Sequence, residues 1–212
     1  MISQEMLKLG TSKSVIRELF SYGQQRAQKV GSENVLDFSL GNPSVPAPKE
    51  VQDAIIDIVK NNDPVFYHGY SSSQGHDGCR KAIADNLNKR FDTEYTLDDL
   101  FMTCGAAASL NIVFKALTVS AADEVIVLAP YFPEYKVFIE GQGSKMKLVS
   151  SCNDMRLNLD GIKEAVNENT KALLINSPNN PSGVVYTKDE IKELTNYLKE
   201  MEKKLGHTIY LI

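Results

Sequence analysis

The chain has 212 residues, 42% of them apolar and 24% charged, and a formal net charge of −4. A fold of that length buries about 70% of the surface its unfolded chain exposes, and the composition excludes disorder, collagen-like repeats and coiled coil. The 23 basic and 27 acidic residues form no long run of either sign, which argues against nucleic-acid binding through bulk positive charge and leaves only a local basic patch open.

No stretch approaches the ~20 apolar residues that span a bilayer, and the opening MISQEMLKLG lacks the apolar core of a signal peptide. Cys79, Cys104 and Cys152 have no metal-binding spacing, nor do His68, His76 and His207. An odd cysteine count suits a reducing compartment. A soluble, cytoplasmic, metal-free chain is expected, without a membrane or nucleic-acid partner.

In chain order, the pattern predicts a helix from about Ser14 to Val30, then a strand at VLDFSLG (35–41) and an extended LGNPSVPAP. Residues 1–45 thus form an arm that packs on another surface, and a larger body follows over 46–212. Val51, Ala54, Ile55, Ile58 and Val59 share a helical face, as do Cys79, Ile83 and Leu87, and then Leu110, Phe114 and Leu117. Strands are predicted at LFMTCG (100–105), EVIVLAP (124–130), KMKLVSS (145–151), KALLINS (171–177) and HTIYLI (207–212). EVIVLA, KALLIN and HTIYLI are nearly continuous apolar runs, the mark of strands covered on both faces. Thr187 and Glu190 form a capping box that opens a helix, and Gly206 is placed to stop it. Alternating strands and helices predict an α/β fold with a mostly parallel sheet. The sequence breaks off at Ile212 inside an apolar strand, which reads as a fragment.

Three segments carry chemistry. In TCGAAASL (103–110) a strand runs into Gly105, and Ala106, Ala107 and Ala108 open a helix. Small side chains there either let an anion reach free N–H groups or simply pack a tight turn. LAPYFPEY (128–135) places Tyr131, Phe132 and Tyr135 at a strand's C-terminal end, to stack on a planar ligand or to cap the core. LLINSPNNPSGVVY (173–186) holds Asn176, Asn179 and Asn180 between prolines at another such end, and it is the strongest signal in the chain. Gly141-Gln-Gly143 leaves a helix and makes no dinucleotide fingerprint, Ser71–Ser73 has no nucleophile-elbow context, and Lys199, Lys203 and Lys204 lie among glutamates on a solvated face.

INSPNNPSG closely resembles the N-P-[ST]-G signature of fold-type I (class I/II) pyridoxal-phosphate-dependent aminotransferases. Other segments follow in the family's order: SVIRELF resembles its N-terminal arm and LGNPS its substrate-side glycine segment. GYSSSQGHDGCRKAIADNL resembles its Tyr–Gly–Arg segment, TCGAAASL its phosphate turn, and APYFPEY its ring-stacking loop. The resemblance implies the family's large-domain fold, incomplete here, with residues 1–45 as arm and start of the small domain and 46–212 as the N-terminal part of the cofactor-binding domain. It implies pyridoxal 5'-phosphate (PLP) as cofactor and an amino acid and a 2-oxo acid as substrates. Gly105, Ala106 and Ala107 would cradle the phosphate, Phe132 would lie against the ring, and Asn180 would bond its phenolic oxygen. Tyr70 would reach the phosphate of the neighbouring subunit's cofactor, which implies a homodimer, and Gly41 would lie by the substrate carboxylate. Outside the family, Tyr70 is a surface tyrosine and Gly41 a turn glycine.

The family's Schiff-base lysine, the aspartate facing the ring nitrogen and the arginine gripping the substrate carboxylate match no residue here and are expected beyond Ile212. Lys13 sits in the arm and reads as a solvated helix-start residue. No catalytic residue is therefore assigned, and residues 1–212 alone are expected not to transaminate. A carbon–sulfur β-lyase or a decarboxylase on the same scaffold is the nearest alternative. A cofactor-sensing regulatory domain and a non-enzymatic α/β binding domain are more remote.

Overall fold

The computed structural model describes residues 2–11, 15–41 and 45–212, without the side chains of Glu5 and Leu9. Lys13 and the 42–44 part of LGNPS lie outside the described residues. The chain divides into two compact units, Met1–Met102 and Thr103–Ile212.

The first unit is helical: α1 (Gln4–Thr11), α2 (Val15–Val30), α3 (Lys49–Asn61), α4 (Pro64–His68) and α5 (Asp77–Phe91). Among its described residues only Arg80 and Ala84, both on α5, are buried. The expected apolar face of α3 exists as a pattern, yet Val51, Ile55, Ile58 and Val59 are all exposed. On α5 the buried positions lie one residue beyond the expected ones, with Ile83 and Leu87 half-buried and Cys79 exposed. The cause is Arg80. Its guanidinium donates to the Leu97 carbonyl at 2.9 Å, to Gln74 Oε1 at 2.8 Å and to Asp77 Oδ1 at 2.7 Å, drawing that side of α5 under the 96–100 segment.

Two expected strands are absent. Residues 35–41 bend, because Asp37 Oδ1 accepts from both the backbone N–H and the hydroxyl of Ser39, at 2.8 and 2.6 Å. Such local bonds offer the backbone an alternative to a ladder. Residues 100–105 follow a 3-10 turn (Leu97–Asp99) closed by a Thr96–Asp99 capping box, and Met102 N–H pairs only with the Gln74 carbonyl, at 2.9 Å.

The second unit is a three-layer α/β body. Its elements are α6 (Ala106–Leu117), β1 (Glu124–Ala129), α7 (Tyr135–Glu140), β2 (Lys145–Ser150), α8 (Leu159–Ala165), β3 (Thr170–Leu174), α9 (Lys188–Leu205) and β4 (Tyr210–Leu211). The strands form one four-stranded sheet of order β2-β1-β3-β4, parallel at every pairing. Side chains alternate between faces. Val125, Val127, Ala172 and Leu174 meet Phe114 of α6 and Ile139 of α7 on one face. Ile126, Leu128 and Leu173 meet Ile162 of α8 and Leu194 and Leu198 of α9 on the other. Both central strands are thus covered on both sides, which is why their sequences run apolar without alternation.

At the sheet's N-terminal edge, buried Asp123 receives the Val119 and Ser120 N–H groups at 2.7 and 2.8 Å, with Lys171 Nζ at 3.7 Å. Burial pushes its carboxyl up, but those two amides and Lys171 outweigh it and hold the carboxyl below its ordinary value. Helix α9 opens on the expected Thr187–Glu190 box and stops at Gly206, whose φ of 75° is left-handed.

Candidate functional site

The second unit brings three loops to the C-terminal edge of its sheet. Helix α6 precedes β1, and the 118–123 link joins its C-terminus to the N-terminal end of that strand. Its twelve residues span about 18 Å, close to the roughly 20 Å of a six-residue strand. Packed along the sheet through Leu110, Phe114 and Leu117, it therefore starts beside the strands' C-terminal ends. The 130–135 loop leaves β1 there, and the 175–187 loop leaves β3, its neighbour in the sheet.

Gly105 caps α6 with φ 101° and ψ 169° and contributes no side-chain bond. A Cβ at that position would meet nothing within 4 Å, so the turn needs glycine for its dihedral angle while the space beside it stays open. Ala106 and Ala107 are exposed, and among the described residues their N–H groups have no acceptor, whereas those of Ala108 and Ser109 reach the Gly105 carbonyl. Thr103 braces the turn by donating to that carbonyl at 3.1 Å and sharing a 2.7 Å bond with Ser109 Oγ. Two free amides at a positive helix end, flanked by methyl groups, fit a phosphate.

Pro130 follows a cis peptide, and the ring of Phe132 meets Tyr135 edge to face, 5.5 Å apart at 76°. Tyr131 and Tyr135 lean on the core behind them, and burial raises the Tyr135 hydroxyl above its ordinary pKa. Glu134 of the same loop has Oε2 buried with no partner among the described residues.

In the third loop the asparagines divide their work. The Asn176 carbonyl oxygen Oδ1 accepts the Asn180 backbone N–H at 2.8 Å, while Asn179 Nδ2 donates to the Pro130 carbonyl at 3.1 Å and to Ser182 Oγ at 2.8 Å. Asn180 itself is exposed, and its side-chain amide makes no hydrogen bond among the described residues. Behind the loop, Arg156 grips Glu190 with both Nε and a terminal nitrogen, and Glu190 in turn takes the Thr187 N–H at 2.7 Å. The Arg156 bonds come first in holding the Glu190 carboxyl down to about 2, against the opposing effect of burial and with help from Thr187. The edge therefore combines a helix start with two unpaired N–H groups, a pair of aromatic rings and an exposed side-chain amide.

The family of class I and II aminotransferases matches residues 33–203. The chain belongs to this family. An amino transferase structure from Eubacterium rectale superposes with a TM-score of 0.96 at 47% identity, covering 100% of this chain and 53% of that one. A probable aspartate/prephenate aminotransferase of Aquifex aeolicus is 32% identical over 79% of this chain and 42% of its own length. An S-alkyl-thiohydroximate lyase of Arabidopsis thaliana is 29% identical over 92% of this chain and 41% of its own. The aminotransferase-family chain described here thus spans about half the length of the relatives it matches.

Of the family residues expected from the sequence, Gly105 caps α6, Ala106 and Ala107 open it, and Phe132 and Asn180 lie on the loops after β1 and β3, all in the second unit. Tyr70 and Gly41 belong to the first unit. Tyr70 is fully exposed, and Gly41 is exposed with nothing within 4 Å of where a Cβ would stand. Sequence reasoning missed the bond from Asn179 to the loop of Phe132 and the brace of Arg156 on Glu190. The signal for the first was present as an asparagine too many for one ligand contact; the second joins residues 34 apart and had none.

Proposed function

We propose that the protein this chain represents transfers an amino group from an amino acid to a 2-oxo acid, using PLP. The observation that carries the reading is the family match over 33–203, together with the anion turn, aromatic wall and free amide at one sheet edge. When bound, PLP supplies an electron-withdrawing ring that loosens the bonds at the substrate's α-carbon. The Gly105–Ala107 turn would bind its phosphate through N–H groups, each charge-assisted bond contributing about 1.5–3 kcal/mol. Phe132 would cover one face of the ring, excluding water, and the Asn180 amide would donate to the phenolic oxygen.

Tyr70 would complete the phosphate site of a partner subunit in a homodimer, its full exposure leaving the hydroxyl free to do so, and Gly41 would leave room for the substrate carboxylate. A cytoplasmic setting agrees with three free, exposed cysteines. Among the described residues no helix is long and apolar enough to cross a membrane. No lysine of residues 1–212 takes the covalent role in this assignment, so these residues alone would not transaminate.

The lyase reading has one observation in its favour, the likeness to the Arabidopsis thiohydroximate lyase over 92% of the chain. The test is an assay of the parent protein with PLP and a panel of amino acids, with and without a 2-oxo acid. A new amino acid formed only when the 2-oxo acid is present supports transamination. Pyruvate and ammonia released without it would make the protein a lyase. Turnover by residues 1–212 alone would show the lysine assignment to be wrong.

A further inference from the structure

Within the run Asn176–Gly183, the two adjacent asparagines have opposite fates. Both donors of the Asn179 side-chain amide are engaged, one on Ser182 Oγ at 2.8 Å in its own loop, the other on the Pro130 carbonyl at 3.1 Å in the loop that carries Phe132. Its backbone is held too: the N–H donates to the Val184 carbonyl at 2.9 Å, and the carbonyl accepts from Gly183 N–H at 2.7 Å. The neighbouring Asn180 side chain is exposed and makes no hydrogen bond among the described residues. A primary amide has two N–H donors and no more, so Asn179 is fully committed to protein and cannot also serve a ligand through them.

The position of the bond gives it a consequence. Pro130 lies two residues before Phe132, and Asn179 immediately precedes Asn180, while β1 and β3, from which the two loops spring, are neighbours in the sheet. Past the strand ends the ladder no longer ties the loops, and among the described residues this amide supplies the side-chain bond that joins them. A stacking group and a hydrogen-bonding group that serve one ring must keep their separation to within about 0.5 Å to act together. We propose that Asn179 is a positioning residue, fixing Phe132 and Asn180 relative to each other so that the aromatic wall and the free amide engage one ring as a unit. This rests on the reading of the sheet edge as a PLP site.

The test is a PLP titration of the cofactor-free parent protein and its Asn179→Asp, Asn179→Ala, Asn180→Ala and Asn179→Ala/Asn180→Ala variants. It reads the dissociation constant, the circular dichroism induced in the bound ring at saturation, and the thermal midpoint without ligand. Asn179→Asp keeps the side chain's size and removes its donors; Asn179→Ala removes them without adding charge. Each is expected to weaken binding about five- to tenfold, the equivalent of one hydrogen bond, and to reduce the induced signal. The double variant is expected to bind no more than about twofold more weakly than the poorer single, because two residues that act through one geometry couple.

Wild-type affinity and wild-type induced signal in both Asn179 variants would overturn the proposal while leaving the site reading intact. So would fully multiplicative losses in the double variant, or weakened binding that follows a lowered midpoint with the saturated signal unchanged, which would make Asn179 a merely structural residue. A wild-type parent protein that fails to bind PLP would overturn the site reading itself, and this proposal with it.

Discussion

Helices α3 and α9 are written in the same amphipathic code and end in opposite circumstances. In α9 the apolar stripe is packed on the sheet, with Leu194 and Leu198 buried among Ile126, Leu173 and Ile162. In α3 the stripe is just as regular, yet Ile55 is 59% exposed and Val59 54%. The whole first unit follows suit, with Arg80 and Ala84 its only buried positions among the described residues. Periodicity states which side of a helix is better out of water; it does not state whether there is anything there to cover it.

The largest expected effect tests that contrast directly. Phe114→Ala, at a position with no solvent exposure between α6 and the sheet, should cost about 3–5 kcal/mol in urea unfolding. Ile55→Ala on α3 should stay within about 0.5 kcal/mol. Comparable losses at the two positions would mean that the α3 face is covered in solution, and the contrast would break.

Next in size comes the buried guanidinium of the first unit. Arg80→Leu removes the donor to the Leu97 carbonyl, Gln74 and Asp77 and should cost about 2 kcal/mol. Amide exchange should accelerate over 96–102 and stay unchanged in β1 and β3. Faster exchange in those strands as well would mean that the two units do not lose structure independently.

The smallest effect sharpens the second unit's side of the comparison. The Glu190 carboxyl is held at about 2 in the folded chain, below its ordinary value. Its stabilising share is therefore complete above the unfolded pKa near 4.5 and is lost as pH falls from there through about 2. Because the partner Arg156 is partly in solvent, the effect at neutral pH is discounted to about 1 kcal/mol. Glu190→Gln should lose that amount at pH 7 and show a flatter decline of stability between pH 5 and 2. An acid profile identical to wild type would remove Glu190 from the account.

What was legible in the sequence was what short range decides. The Thr187–Glu190 box and Gly206 bound α9 because a capping box joins residues only three positions apart. Buried strands announced themselves at 124–129 and 170–174 because two-sided burial leaves no polar face to write. The strand read at 35–41 failed for a local reason of the same kind, the Asp37–Ser39 bonds, which a pattern of apolar residues does not display. Asn179 and Asn180 are identical in type and adjacent; the N-P-[ST]-G resemblance singles out Asn180, but no pattern gives Asn179 its bond to the Pro130 carbonyl. That bond came from Pro130, 49 residues earlier, being brought beside one of them by a neighbouring strand.

The amino-acid sequence by itself determined the helix and strand code, the caps, the glycine at the turn into α6 and the family to which the chain belongs, because these depend on residue type and near neighbours. Only the tertiary structure decided which apolar faces are covered, which side of α5 is buried, and which asparagine holds the loop while the other faces outward. Those outcomes depend on atoms brought together from distant parts of the chain, and a hydrogen bond or a packed face exists only when both partners arrive.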